Sequence, residues 1–342
     1  MKNLIFILIF LSFSFTALCQ GGVNFEQLTF DEALSKAKAE NKLVFMDCYT
    51  TWCAPCKYMA DNVFPREEAG EFFNPKFVSV KFDMENGEGK ELAQKFGVRA
   101  YPTFLIIRPD GSVQHRIVGG VNLDKFIEIA ERGLNVKTSF DYLDRLHEKG
   151  KMNKKQLISY QIALNDAYEE EKSNKVAQEL KSILKEKDKM QKEYWPILEK
   201  ESFGSDGFKL VLNNLSTFRK NVGKEKIDNY LFENYFSTIG ESLNADAKPH
   251  GETLKQIKSE LENLDIDGKD VLLSTIELNQ ACLMSDINKI ISIAEKINTN
   301  ENGELWSAME ALGFIKNKAS KDDLKRILRL EEQYMNLVED DN

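Results

Sequence analysis

Positive charge is in short supply in this 342-residue chain: 46 Lys and Arg stand against 55 Asp and Glu, a formal net charge of -9. Nucleic acid selects a basic face, so this balance argues against a nucleic-acid partner, and surface solvation is its plain meaning. Histidine is scarce, with three scattered residues. There is no glycine-rich phosphate loop, so no metal, nucleotide or flavin site is expected. Cysteine is sparse as well. Cys19, Cys48, Cys53, Cys56 and Cys282 are too few and too unevenly placed for a disulfide-stapled scaffold, since three of them fall within nine residues. Long apolar runs are also missing: the one from Leu4 to Leu18, after Lys2, is shorter than the roughly 20 residues that span a bilayer. With Ala17 and Cys19 at its small-residue end, that run reads as a secretory signal peptide over residues 1–19, cleaved to leave Gln20 first. A periplasmic or secreted protein is the expectation. The rival is a lipid anchor on Cys19, against which the bulky Leu18 speaks.

The remaining length is too great for one small core and predicts two domains. From 25 to 136 helical and strand patterns alternate. Thr29 and Glu32 form a capping box, with Ala33, Leu34 and Ala37 on one helical face. Leu43 to Met46 is a buried strand and Phe77 to Phe82 another, while Glu88 to Phe96 is a helix stopped by Gly97. Phe104 to Ile107 and Val113 to Val118 make a hairpin around Pro109-Asp110-Gly111, and a last helix starts near Asn122. The order predicts an α/β domain, a mixed sheet with helices on its faces. From 137 to 342 lysine, glutamate, leucine and isoleucine dominate without strand alternation. That part is predicted all-helical, a bundle or short solenoid, with apolar faces such as Val176, Leu180, Ile183 and Leu184, or Leu254, Ile257, Leu261 and Leu264. No fixed repeat period is discernible.

The chemistry concentrates at Trp52-Cys53-Ala54-Pro55-Cys56-Lys57. Two cysteines separated by two residues at a helix start can close a small disulfide, and the first sulfur then meets the positive end of the helix dipole, which favours its thiolate. The thiolate is the attacking species in disulfide exchange. Cys53 is therefore the expected nucleophile, and Cys56, one turn further in and shielded, the resolving thiol. Two alternatives stand beside this. Half a zinc site would need two more ligands, for which Cys48 and the distant His115 are poor substitutes. A purely structural disulfide would gain little from so short a loop. Cys48 and Cys282 read as small buried hydrophobes, Cys282 on a helical face with Val271, Thr275 and Leu278.

The segment Trp52 to Lys57 resembles the thioredoxin active site with an alanine in place of a glycine, and the resemblance extends from about Phe25 to Leu134. It implies a thioredoxin fold and no cofactor beyond the redox-active Cys53-Cys56 pair. Asp47, six residues before Cys53, matches the family's buried acid, which assists proton transfer at the inner cysteine. Tyr101-Pro102-Thr103 matches the cis-proline loop that lies against the disulfide and receives extended substrate, and Gly119 the glycine that keeps the substrate groove open. Trp52, Ala54 and Pro55 would shape the substrate surface, with Lys81 and Lys57 as nearby charges. Within that superfamily the leading helix from Phe30 to Asn41, the run Asn41 to Asp47 and the stretch Phe64 to Glu68 resemble secreted thioredoxin-like reductase domains, such as the carboxy-terminal domain of the membrane electron carrier that feeds reductant to the periplasm. The resemblance implies a reductase of secreted protein disulfides, resupplied by an unidentified donor such as a membrane reductase. A disulfide isomerase or oxidase dimerised by the helical domain, and a binding protein that uses the helical domain with the thioredoxin fold as platform, are the alternatives.

Overall fold

In a computed structural model of the chain, residues 21–241, 250–297 and 302–340 are described. The expected signal peptide and Cys19 lie outside these residues. The chain divides into two compact units, one ending at Leu184 and one starting at Lys185.

The first unit opens on helix α1 (Phe30–Glu40), whose Thr29 and Glu32 form the expected reciprocal cap; Phe30, Ala33 and Ala37 are its buried face. Strand β1 (Leu43–Tyr49) leads to α2 (Ala54–Tyr58), which runs on as a π turn, Met59–Val63, and is followed by α3 (Glu67–Phe73). Then come β2 (Phe77–Asp83), α4 (Gly89–Phe96), the hairpin β3 (Thr103–Ile107) and β4 (Val113–Val118), and α5 (Leu123–Leu134). The sheet order is β2-β1-β3-β4, with β1 parallel to β2 and the other pairings antiparallel. This is the mixed sheet of a thioredoxin fold.

Side chains alternate across the sheet, so β1 feeds two cores. Phe45 packs with Phe104 and Phe126 beneath α2, α3 and α5, whereas Val44, Met46 and Cys48 pack with Phe30 and Phe96 beneath α1 and α4. Full burial of each such side chain stabilises by about 1.5–3 kcal/mol, so phenylalanines on the inner positions of three strands fix the register. A strap ahead of α1 is tied to this unit: the Glu26 N–H donates to the Ser79 carbonyl at 2.8 Å and the Asn24 N–H to Asn74 Oδ1 at 2.9 Å.

Three further helices, α6 (Phe140–Glu148), α7 (Lys154–Asp166) and α8 (Glu170–Ile183), complete the unit. Their attachment is explicit. Arg108 pairs with Asp141 at 2.9 Å, Arg132 with the buried Asp166 at 2.7 Å, and the Phe140 N–H donates to His115 Nδ1 at 3.1 Å. The compositional border at 137 therefore falls inside the first compact unit, because long-range ion pairs bind these helices to the hairpin and α5. On α8, Val176 and Leu180 are buried but Ile183 is exposed, so the expected apolar face is one turn shorter. His115 is buried on the sheet face opposite Cys48, as the register shows, so the two cannot meet at one ion. Burial pushes its pKa down to about 4.

The second unit is helical throughout its described residues, as expected. It comprises α9 (Glu186–Lys189), α10 (Trp195–Leu198), α11 (Asp206–Asn213), α12 (Leu215–Val222), α13 (Lys224–Glu241), α14 (His250–Glu262), α15 (Lys269–Leu283), α16 (Ile287–Ala294), α17 (Asn302–Ile315) and α18 (Lys321–Asp340). One core gathers Trp195, Phe218, Tyr235 and Leu261, and a second gathers Cys282, Ile290, Leu312 and Tyr334. Cys282 is buried, as are Val271, Thr275 and Leu278 along the same helix, and burial raises its thiol pKa to about 11. Among the described residues no helix is long and apolar enough to cross a membrane.

Candidate active site

Cys53 is the N-cap of α2 and is bonded to Cys56. Pro55 occupies an early helical position, where its missing N–H costs nothing. The Cys56 N–H donates to Cys53 Sγ at 3.2 Å, which places an otherwise orphaned helix donor on that sulfur. Both cysteines are largely covered in the disulfide, Cys53 at 3% exposure and Cys56 at 7%. Shielding of Cys56 alone, expected from its place one turn in, does not distinguish the two sulfurs in this oxidised form; the cap geometry does. Reduction would leave Cys53 Sγ facing the helix amides, a setting that stabilises its thiolate.

Asp47 sits on β1 facing the side of the sheet that α2 covers, with Lys81 as its direct partner across the parallel pairing. Its carboxyl is buried, Oδ1 finds no hydrogen-bond partner, and burial raises its pKa to about 7, against the lowering effect of the Lys81 charge. A cavity of about 180 Å3 adjoins Asp47, bounded by Phe25, Ala60 and Lys81 among others. Ala60 is four residues beyond Cys56, so the acid lies under the helix that carries the disulfide. A carboxyl poised near neutral pH beneath a dithiol can accept or supply a proton at working pH.

The rim is made by residues far apart in sequence. Trp52 is exposed; its indole N–H donates to Glu85 Oε2 at 3.1 Å, and its ring meets Tyr101 edge-on at 6.0 Å. The Tyr101-Pro102 peptide is cis, and the Gly119 N–H donates to the Pro102 carbonyl at 2.9 Å. Thr103 is buried, its hydroxyl turned back to the Ala100 carbonyl at 2.8 Å. Gly119 has φ of +96°, a conformation side chains rarely adopt, with open space where a Cβ would stand. Gly120 is held for another reason: a Cβ there would lie 3.2 Å from the Pro55 carbonyl oxygen. Ala54, Pro55 and Lys57 are exposed on the helix that bears the disulfide. Trp52, Tyr101 and the Gly119-Gly120 corner therefore converge on the Cys53-Cys56 pair, while Lys57 stands on the outer surface.

Sequence reasoning missed Glu85 and Gly120. Glu85 lies in the turn after β2 and carries no local signal for its reach to Trp52. Gly120 is one residue from the glycine singled out, and only the packing of the β4 exit on Pro55 separates their roles. Cys48 is buried on the opposite sheet face, and burial first, then the Asp47 charge, pushes its thiol pKa far up.

A family model described as thioredoxin-like domain matches residues 30–133. A thioredoxin H-type of Oryza sativa subsp. indica is 42% identical over 90 residues, covering 26% of this chain and 68% of its own length. The thiol:disulfide interchange protein DsbD of Pseudomonas fluorescens is 32% identical over 99 residues, 28% of this chain and only 17% of that protein. Among solved structures, a Bacteroides thetaiotaomicron protein provisionally described as a disulphide-isomerase is 44% identical, covers 34% of this chain and 95% of that one, and has a TM-score of 0.32.

Proposed function

Because the chain belongs to the thioredoxin-like superfamily, we propose that it is a thiol–disulfide oxidoreductase that reduces disulfides of secreted proteins through Cys53 and Cys56. The observation that carries this is the Cys53-Cys56 disulfide at the start of α2, with the Cys56 amide on Cys53 Sγ and the buried Asp47 beneath.

In the reduced protein the Cys53 thiolate attacks one sulfur of the substrate disulfide. A Cys53–substrate bond forms, the substrate bond breaks, and the departing substrate thiolate takes a proton. Asp47, whose burial raises its pKa to about 7, accepts the Cys56 proton, and the Cys56 thiolate attacks Cys53 Sγ. The intramolecular disulfide forms and the second substrate thiol leaves. The substrate gains two electrons and the protein dithiol loses them, so each turnover needs a dithiol donor. In an oxidising compartment a membrane reductase is the proposed source. No cofactor enters the cycle. The exposed Trp52, Ala54, Pro55 and the Tyr101-Pro102-Thr103 loop would receive the substrate, Gly119 leaving the groove open beside them; Lys81 and Lys57 contribute only nearby charge. The redox unit would be carried by residues 25–136, with 137–342 serving recognition and residues 1–19 directing export.

Cys56→Ser tests this reading. Without the resolving thiol, Cys53 should hold its substrates as mixed disulfides stable on a non-reducing gel, whereas Cys53→Ser should trap none. Equal trapping by both variants, or by neither, would remove the assignment of roles.

A further inference from the structure

The helices beyond the matched residues supply one wall of a polar cavity beside the rim of the disulfide. The cavity is about 350 Å3 and is lined on one side by Arg99, Thr103 and Arg116 and on the other by Tyr168 and Glu169. Thr103 follows the Tyr101-Pro102 peptide directly and pairs with Val118, next to Gly119, so the cavity adjoins the loop that meets Trp52.

Its two cations are held differently. Arg116 projects from β4 and is mostly covered; its guanidinium donates to the Phe96 carbonyl at 2.5 Å and the Gly97 carbonyl at 3.4 Å, where α4 ends. Those bonds fix the fork in place. Arg99 is exposed in the loop after α4. The far wall is the turn between α7 and α8, where Tyr168 takes a left-handed conformation, φ +57°, uncommon for a side chain of its size. That turn is secured: the Tyr168 N–H donates to the Asn165 carbonyl at 3.2 Å, the Glu169 N–H to the Leu164 carbonyl at 2.9 Å, and Asp166 pairs with Arg132 on α5 at 2.7 Å. Two guanidiniums face one carboxylate, Glu169, so the cavity carries an excess positive charge in a chain whose net charge is -9. A planar guanidinium such as that of Arg99 matches a carboxylate through paired donors, while Arg116, whose terminal nitrogens already donate to the α4 carbonyls, adds a charge fixed in place, which lowers the ordering cost of binding.

We propose that this cavity is a specificity subsite for an acidic side chain of the protein substrate, an aspartate or glutamate a few residues from the substrate disulfide, held by Arg99 and Arg116 as the segment passes Tyr101-Pro102. The inference rests on the thiol–disulfide reading above and adds a substrate class to it: disulfides flanked by acid.

The test is a series of disulfide-bridged peptides with one glutamate moved stepwise from one to five residues away from the bridge, each matched by its glutamine counterpart. Kd is measured by calorimetry on the oxidised full-length protein and kcat/KM on the reduced protein. At one position or more, the glutamate peptide should bind about tenfold tighter than its glutamine match, with kcat/KM higher by a similar factor, as charge-assisted hydrogen bonding allows. Arg99→Gln, at an exposed position, should bring the ratio close to one, Glu169→Gln should enlarge it, and added salt should shrink it. Equal Kd for glutamate and glutamine peptides at every position overturns the subsite while leaving the redox reading intact. A glutamate preference in Kd with no turnover of any peptide overturns the redox reading while leaving the subsite. Binding of free N-acetylglutamate as tight as that of the best peptide overturns the assignment to a polypeptide.

Discussion

Replacing Asp47 by asparagine should make the oxidised protein more stable above neutral pH while slowing its chemistry. The carboxyl is buried with one oxygen lacking a hydrogen-bond partner, and burial moves its ionisation from 3.8 to about 7. A group whose pKa is raised on folding contributes its full share below the unfolded value, near pH 3.8, and loses it as pH rises to about 7, beyond which the loss is constant. The whole displacement corresponds to an upper figure of about 4 kcal/mol, of which roughly 3 kcal/mol is lost between pH 5 and pH 8. Asparagine has nearly the same shape and never ionises. Urea unfolding of wild type and Asp47→Asn at pH 5 and pH 8 isolates this contribution, because every other titrating group cancels in the difference between the two proteins. The stability difference should move in favour of the variant by roughly 2–3 kcal/mol over that range. The same variant should turn over more slowly at pH 7, with the loss concentrated in the step that releases reduced substrate. A stability difference that stays constant between pH 5 and pH 8 would show that Asp47 is ionised at little cost, and the proton-transfer role would lose its physical basis.

Other sites give sharper structural outcomes. His115 is buried, its pKa is depressed to about 4 from 6.5, and so its contribution is complete above pH 6.5 and falls as pH drops towards 4; His115→Gln should flatten the acid limb of the unfolding profile by on the order of 3 kcal/mol. Gly133→Ala should cost about 1–3 kcal/mol in urea unfolding, since the new Cβ would stand 2.7 Å from His115 Cδ2 and from Ile106 Cδ1, both inside the core. In the helical unit, Asp228 is buried between Arg219 and Lys224, each at 2.7 Å, and Asp228→Ala should lower stability by about 3–5 kcal/mol by stranding a partly covered cation. Loss of less than 1 kcal/mol there would place the pair among exposed, weakly contributing ones.

Much of the sheet was legible because its signals are local. The Thr29-Glu32 cap, the apolar run that became β1, the Phe77 strand and the Pro109-Gly111 hairpin each depend on neighbours within a few residues. The Cys-X-X-Cys spacing is a local signal of the same kind, whereas Asp47 stood out only through the thioredoxin resemblance. What the sequence concealed is held by long-range partners. Ion pairs from Arg108 and Arg132 reach 33 and 34 residues along the chain to draw α6 and α7 onto the first unit, so composition changes well before the compact unit ends. Glu85 reaches Trp52 across 33 residues, and Arg99, Arg116 and Glu169 meet only because the α7–α8 turn is folded back beside β4.

The most direct test is the reduction potential of the Cys53-Cys56 pair, found by equilibrating the protein in dithiothreitol or glutathione buffers and trapping free thiols. The account predicts one two-electron transition near the thioredoxin end of the range, about -270 mV. A transition near about -120 mV would make the protein an oxidant, and no transition in the accessible range would mean that the disulfide is structural and that the protein works by binding.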